Sequence, residues 1–178
     1  MLISINEVKK LNEFSTIPES TLKRKLDAIE IAIRQITNNN FQNRLKRIVA
    51  SSNNNLLEGT SQYFKVGDTI QITESINDGL YVIKAINEDT ITFNNDIYDS
   101  EHNLCTKIEY PADIIEGALK VLSWDVKNAD KVGVASESES LSRHSHSVTY
   151  KNYDGTNTIS GYPAELFNFC RKYGKARF

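Results

Sequence analysis

Leu22, Leu26, Ile29, Ile33 and Ile36 follow one another at spacings of four, three, four and three, and this seam constrains the fold more than any other feature of the chain. It repeats one face of a helix, with Ala28 and Ala32 flanking it and Lys23, Arg24, Lys25, Glu30 and Arg34 mostly off it. The spacing predicts a helix over about 18–37 that stops at Asn38-Asn39-Asn40. Ahead of it, Thr16 is placed to cap, Pro18 to sit in the first turn and Glu19 to close a capping box. The seam is too short for a lone coiled coil, so it has to pack on other helices. Two further segments have the period. Residues 6–14 set Val8, Leu11 and Phe14 on one side. In 111–130, Ile115, Ala118 or Leu119, Leu122 and Val126 form a face that Ile114, Val121 and Trp124 widen. The expected bundle core is therefore Leu22, Leu26, Ile29, Ile33, Ile36, Ile115, Leu119, Leu122 and Trp124.

Between these helices the pattern changes. Residues 41–50 read as a strand and 51–55 as a polar loop. Short β-type runs at 63–66, 69–73, 80–86, 90–93 and 104–110 then alternate with Gly67-Asp68, Asn77-Asp78-Gly79, Asn87-Glu88-Asp89 and Asn94-Asn95-Asp96. Strands so spaced predict a small antiparallel barrel. Val66-Gly67-Asp68-x-Ile70-x-Ile72 resembles the way SH3-like or KOW-like barrels enter their first long strand, a likeness of shape that carries little about function. The expected class is α+β: about four helices in a domain made of 1–50 and 110–178, with a barrel inserted at 51–109. A barrel of roughly 60 residues is marginal alone, so anchoring at both ends should help hold it.

Residues 131–161 are polar. Ser136-Glu137-Ser138-Glu139-Ser140 precedes an alternating run over 141–150, and Asn152-Tyr153-Asp154-Gly155 is a hairpin turn signal leading into 156–160. The segment reads as a long, mobile β-hairpin, and a polar stretch of that length in a compact domain is functional or orders on binding. Pro163 to Tyr173 reads as a short last helix bearing Leu166, Phe167, Phe169, Cys170 and Tyr173, followed by a basic tail.

Chemistry-bearing motifs are sparse. The 178 residues hold 21 Lys+Arg against 23 Asp+Glu, a net charge of −2, without the basic excess of a dedicated nucleic-acid or anionic-membrane binder. No run approaches ~18 apolar residues, and the first residues lack a basic stretch followed by an apolar one, so neither a membrane span nor a secretory signal is expected. Cys105 and Cys170 form no Cys-x-x-Cys and read as reduced thiols. His144 and His146 would share one side of a strand, with no third ligand nearby to complete a metal site. Gly-x-Ser-x-Gly, Walker and Gly-x-Gly-x-x-Gly patterns do not occur. The expectation is a chain without cofactor, metal or catalytic site. At 39 % apolar residues and a mean hydropathy of −0.43, its core is thin, which suits a subunit stabilised by neighbours.

The C-terminal third carries a resemblance. Ser140-Leu141-Ser142-Arg143-His144, Ser147-Val148-Thr149-Tyr150, Gly161-Tyr162-Pro163-Ala164-x-Leu166 and Tyr173-x-Lys175-Ala176-Arg177-Phe178 resemble the tail segment of head–tail connector (adaptor, or head-completion) proteins of tailed bacteriophages. The second helix and Tyr110-Pro111-Ala112-Asp113 fit the same family, whereas the smallest members lack a β-insert. The resemblance implies a structural virion protein of the neck, made in the host bacterial cytoplasm. Such a protein forms a ring, commonly a dodecamer, beneath the portal, extends the DNA channel and offers a platform to the next neck or tail protein. DNA would be passing cargo only. It also implies portal docking through the C-terminal segment, with Tyr162, Phe167, Tyr173 and Phe178 as anchors and Lys175 and Arg177 as charge partners. Phe169 belongs to the same apolar anchor set, whose alternative is that Leu166, Phe169 and Cys170 simply close the bundle core. Glu137, Glu139, Arg143, His144 and His146 would face the channel or a neighbour. The rival reading is a nucleic-acid-binding module acting through Lys65, Lys84, Tyr63, Phe64 and Tyr81 of the barrel, against which stands the barrel's acidic balance.

Overall fold

The computed structural model describes residues 2–128 and 158–176, and the backbone of 136–141 and 144–149. It is α+β. In chain order come α1 (Ile5–Lys9), a 3₁₀ turn (Asn12–Phe14), α2 (Glu19–Thr37), β1 (Gln42–Asn53), β2 (Leu56–Glu58), β3 (Thr69–Thr73), β4 (Gly79–Asn87), β5 (Thr90–Phe93), β6 (Ser100–Ile108) and α3 (Ala112–Asn128). Then follow β7 (Ser136–Leu141), β8 (His144–Thr149), β9 (Thr158–Ile159), β10 (Tyr162–Pro163) and a closing 3₁₀ segment (Ala164–Tyr173).

The seam of α2 is buried as its spacing requires: Leu22, Leu26, Ile29 and Ile33 are core, and Ile36 is half-buried. The helix stops at Asn38, in the left-handed region (φ 48°), whose amide bonds back to the Arg34 carbonyl. The expected capping box is not there. Pro18 itself precedes the first turn, its carbonyl taking the amides of Thr21 and Leu22, and no side chain caps α2. A capping box does form one helix earlier, between Ser4 and Glu7 of α1. Val8 and Phe14 are buried, but Leu11 is 41 % exposed, because helical geometry breaks after Lys9 and resumes as a separate turn.

The buried face of α3 is rotated from the expected one. Ile114, Gly117, Ala118, Val121 and Leu122 are buried, whereas Ile115, Leu119 and Trp124 are only half-buried, and Ile115 and Trp124 lie outside the packed cluster. The cause is Gly117. The Phe169 ring of the closing segment lies on it so tightly that a Cβ there would come within 2.5 Å of the ring. α3 therefore turns its smallest residue, not Ile115, toward its neighbour. One core results, from α1, α2, α3 and the closing segment, with Phe167 and Cys170 inside it.

The second core lies within the sheet. All its pairings are antiparallel, in the order β1-β2-β5-β4-β3-β6, and β6 pairs back onto β1, so the ladder closes on itself. Leu57, Ile70, Ile72, Ile83, Ile91 and Cys105 fill its interior. The sheet starts at Gln42, earlier than the expected boundary at 51, since the whole of β1 belongs to it. Tyr63-Phe64-Lys65-Val66 is a loop rather than a strand, and the loop expected over 51–55 shrinks to a turn between the end of β1 and β2. Asn54 and Asn55 explain the latter: both take positive φ (52° and 64°), the conformation that turns β1 tightly into β2.

The sheet leaves and rejoins the helical unit at one point. Gln42 pairs with Ile108, and the Glu109 amide donates to the Phe41 carbonyl at 2.9 Å. The Phe41 ring, buried in the helical core, packs on Tyr110 (4.8 Å) and Tyr173 (5.7 Å). After α3, β7 pairs antiparallel with β8, in a register that sets Leu141 opposite His144. The turn expected at 152–155 lies outside the described residues. A second short hairpin, β9–β10, turns on Ser160 and Gly161, both at positive φ (52° and 84°). Among the described residues no helix is long and apolar enough to cross a membrane.

Candidate functional site

The closing segment is where the expected docking residues gather, and the structure uses most of them internally. Phe167, expected as an anchor, is 2 % exposed and belongs to the helical core, because the segment is amphipathic and lays that side between α2 and α3. The Tyr162 ring meets Trp124 and Phe167 edge-on, each at 6.1 Å, and its hydroxyl donates to Asp125 at 3.3 Å. Burial, then the Asp125 charge, push that phenol up to about 12. Tyr173 donates to Asp113 at 2.6 Å, and Lys172 pairs with the same carboxylate at 2.9 Å. Those two hydrogen bonds, that of Tyr173 first, hold the Asp113 carboxyl below its ordinary range. The chain then crosses the end of α2. The Lys175 amide donates to the Thr37 carbonyl (2.8 Å), and Asn38 and Asn39 donate to the carbonyls of Ala176 (3.2 Å) and Tyr173 (3.4 Å). Lys175 is exposed; Arg177 and Phe178 lie outside the described residues, as does Arg143.

The β7–β8 register sets Glu137 opposite Val148, Glu139 opposite His146 and Leu141 opposite His144. Glu137, Glu139, His144 and His146 thus belong to one paired unit, which among the described residues no pairing links to the six-stranded sheet.

Glu30 was expected off the seam but is buried, and it organises a polar cluster. Its carboxylate accepts from the Leu2 amide (3.2 Å), the Tyr110 hydroxyl (3.0 Å) and Arg34, whose Nε donates to the same Tyr110 oxygen at 2.7 Å. Burial, then the Glu30 charge, drive the Tyr110 phenol far above its usual value. The cluster ties the N-terminal residues, α2 and the β6–α3 junction together. A cleft of about 460 Å³ opens beside it, lined in part by Asp27, Ile31, Arg34, Leu80 and Asn94.

Two exposed apolar sites, both missed by the sequence reading, sit on braced elements. Between Gln42↔Ile108 and Arg47↔Thr106, β1 advances five residues while β6 advances two, so residues 43–46 bulge out. Glu109 pins that bulge through Asn43 (2.7 Å) and Lys46 (2.6 Å), and Asn43 accepts from the Leu45 amide at 3.1 Å. Leu45 at the tip is 90 % exposed, with Val49 (60 %) further along β1 and exposed Arg44 and Arg47 beside them. At the other end of β1, the buried side chains of Ser52, Asn77 and Asn103 bond to one another. Asn77 also holds both the amide (2.7 Å) and the carbonyl (2.8 Å) of Tyr98. This network fixes two loops from which Ile76 (72 %) and Tyr98 (71 %) project. Leu45 alone in a basic run was a readable signal, whereas Asn77-Asp78-Gly79 signalled only a turn.

Of the aromatics named for nucleic-acid binding, Phe64 is buried in the sheet core and the Tyr81 ring packs on Phe93 at 5.4 Å, leaving Tyr63 exposed with Lys65 and Lys84. Among the described residues no cluster of His, Cys, Asp and Glu could hold a metal ion. Comparison with family models, curated proteins and solved structures returned no match.

Proposed function

We propose that the chain is a non-catalytic structural subunit of the phage neck: a head–tail adaptor whose copies form a ring beneath the portal, extend the DNA channel and present a platform to the next neck or tail protein. The six-stranded sheet is then an SH3-like insert in the adaptor's helical unit. The observation that carries this reading is the path of the closing segment. The helical unit is interrupted by the sheet and by the β7–β8 hairpin, yet the segment returns to seal α2 against α3. Its last described residues are then tied to the α2 terminus. Whatever follows Ala176 leaves from a fixed point, as a docking arm requires.

The resemblance of the 140–178 motifs supports the same reading, and the braced apolar sites suit a protein that is completed by neighbours. The burial of Phe167 changes the expected anchor set: docking would rest on Lys175, Arg177 and Phe178, while Tyr162 and Tyr173 hold the arm's base. The test is capture of a purified phage portal ring, comparing the full chain with one ending at Tyr173. The full chain is expected to be retained and the truncated chain to lose at least tenfold in affinity with unchanged helical circular dichroism. Equal retention of both would refute the assignment of the arm.

A further inference from the structure

The two braced apolar sites differ in the sign of the charge around them. Leu45 and Val49 lie with Arg44 and Arg47, all four exposed, and Lys46 is engaged by Glu109 in holding the bulge. Ile76 and Tyr98 are rimmed by exposed Glu74, Asp78, Asp99 and Glu101. Both are held rigidly by hydrogen bonds whose geometric result is an apolar side chain projecting into solvent. A large apolar group fixed in that position marks a contact surface rather than a gap in the core.

The sites cannot meet within one copy. Arg47 and Ser52, which donates to the Tyr98 carbonyl (2.7 Å), are five residues apart on β1, roughly 17 Å along a strand. We propose that the two ends of the six-stranded sheet are the halves of a head-to-tail contact between copies of this chain. The Arg44–Leu45–Arg47 bulge of one copy seats on the acid-rimmed Ile76–Tyr98 pair of the next. Opposite signs around matched apolar centres fix the partner as a second copy and the orientation as heterologous, the kind of contact that closes into rings when the rotation allows. This rests on the ring reading above and adds to it a role for the inserted sheet, which then links neighbouring subunits.

The experiment uses the full chain with R44E/R47E, with E74K/E101K, and with the two variants mixed one to one. Association is followed by sedimentation at high protein concentration and on the portal ring. Glu74 and Glu101 are chosen because Asp78 accepts the Ser75 amide of its own loop and Asp99 the Asn54 amide of the β1–β2 turn. Glu74, by contrast, meets only the exposed His102 ring, at 3.4 Å, among the described residues. Each variant alone sets like charges face to face and should associate at least tenfold more weakly than wild type. In the mixture every contact again joins opposite signs, so association should return to near the wild-type level. Variants that associate like wild type, or a mixture no better than its components, would overturn the head-to-tail contact and leave the ring reading standing. A wild-type chain that remains monomeric both free and with the portal would overturn both.

Discussion

Gly117→Ala isolates the packing on which the helical unit depends. In an exposed helix, Ala in place of Gly stabilises by about 1 kcal/mol. Here the added Cβ would lie 2.5 Å from three atoms of the Phe169 ring, Cγ among them, so the whole ring must move by about 1 Å to reach ordinary contact. Overpacking of that kind costs about 1–3 kcal/mol. The two effects oppose, and the net expectation is a loss of about 0–2 kcal/mol. The sign becomes decisive in a cycle with Phe169→Ala. Once the ring is gone the Cβ enters vacated space, and Gly117→Ala should stabilise that background by about 1 kcal/mol, giving a coupling of about 1–3 kcal/mol between the sites. Urea unfolding followed by fluorescence of Trp124, the chain's single tryptophan, measures all four proteins. Equal stabilisation by Gly117→Ala in both backgrounds would refute the close approach of the closing segment to α3.

Each core contains one buried cysteine, and burial pushes the Cys105 thiol up to about 12, and burial with the Asp113 charge the Cys170 thiol up to about 11. Neither should react with a thiol reagent at pH 8 until its own core opens; complete labelling of either on mixing would contradict the packing. The Asp113 carboxyl, held low by Tyr173 and Lys172, ties the closing segment down above its ordinary value of 3.8 and releases it as pH falls through the lower folded value. The Lys175 amide resonance should report that release below pH 3.8 in the wild type and show no such step in Asp113→Asn; identical titrations would be a failure. Replacing 43–107 by a short Gly-Ser linker joins Gln42 to Ile108, which already pair, and should leave a helical protein with Cys170 still protected. Loss of its helical circular dichroism would show that the sheet is required for the helical core.

What the sequence disclosed, and what it hid, follows the range of the interactions. The α2 seam was readable because five apolar residues at helical spacing have few alternatives, and its stop at Asn38 because Asn tolerates the left-handed conformation. The change of period marked the sheet and the strand over 41–50, but not that this strand belongs to the sheet rather than to the helical unit. β1 carries Arg44, Lys46 and Arg47 because part of it bulges out of the ladder, which blurs the alternation. The rotated face of α3 depends on the contact between Gly117 and Phe169, fifty-two positions apart in the chain, and no local pattern encodes it. Glu30 reads as a surface residue until Tyr110 and the Leu2 amide arrive to bond it. Ser52, Asn77 and Asn103 likewise look like turn or strand-edge residues, and become a buried network only once the sheet has closed. The docking anchors show the converse: aromatic residues near a terminus suggest a partner, yet Phe167 finds its partners within the chain.

Electron microscopy of the chain mixed with a phage portal tests the proposed adaptor role most directly. The proposed role predicts a closed ring of copies, coaxial with the portal channel, with the helical unit and the C-terminal arm at the portal face. Portal particles that carry no added ring, or single copies scattered without a common axis, would contradict it.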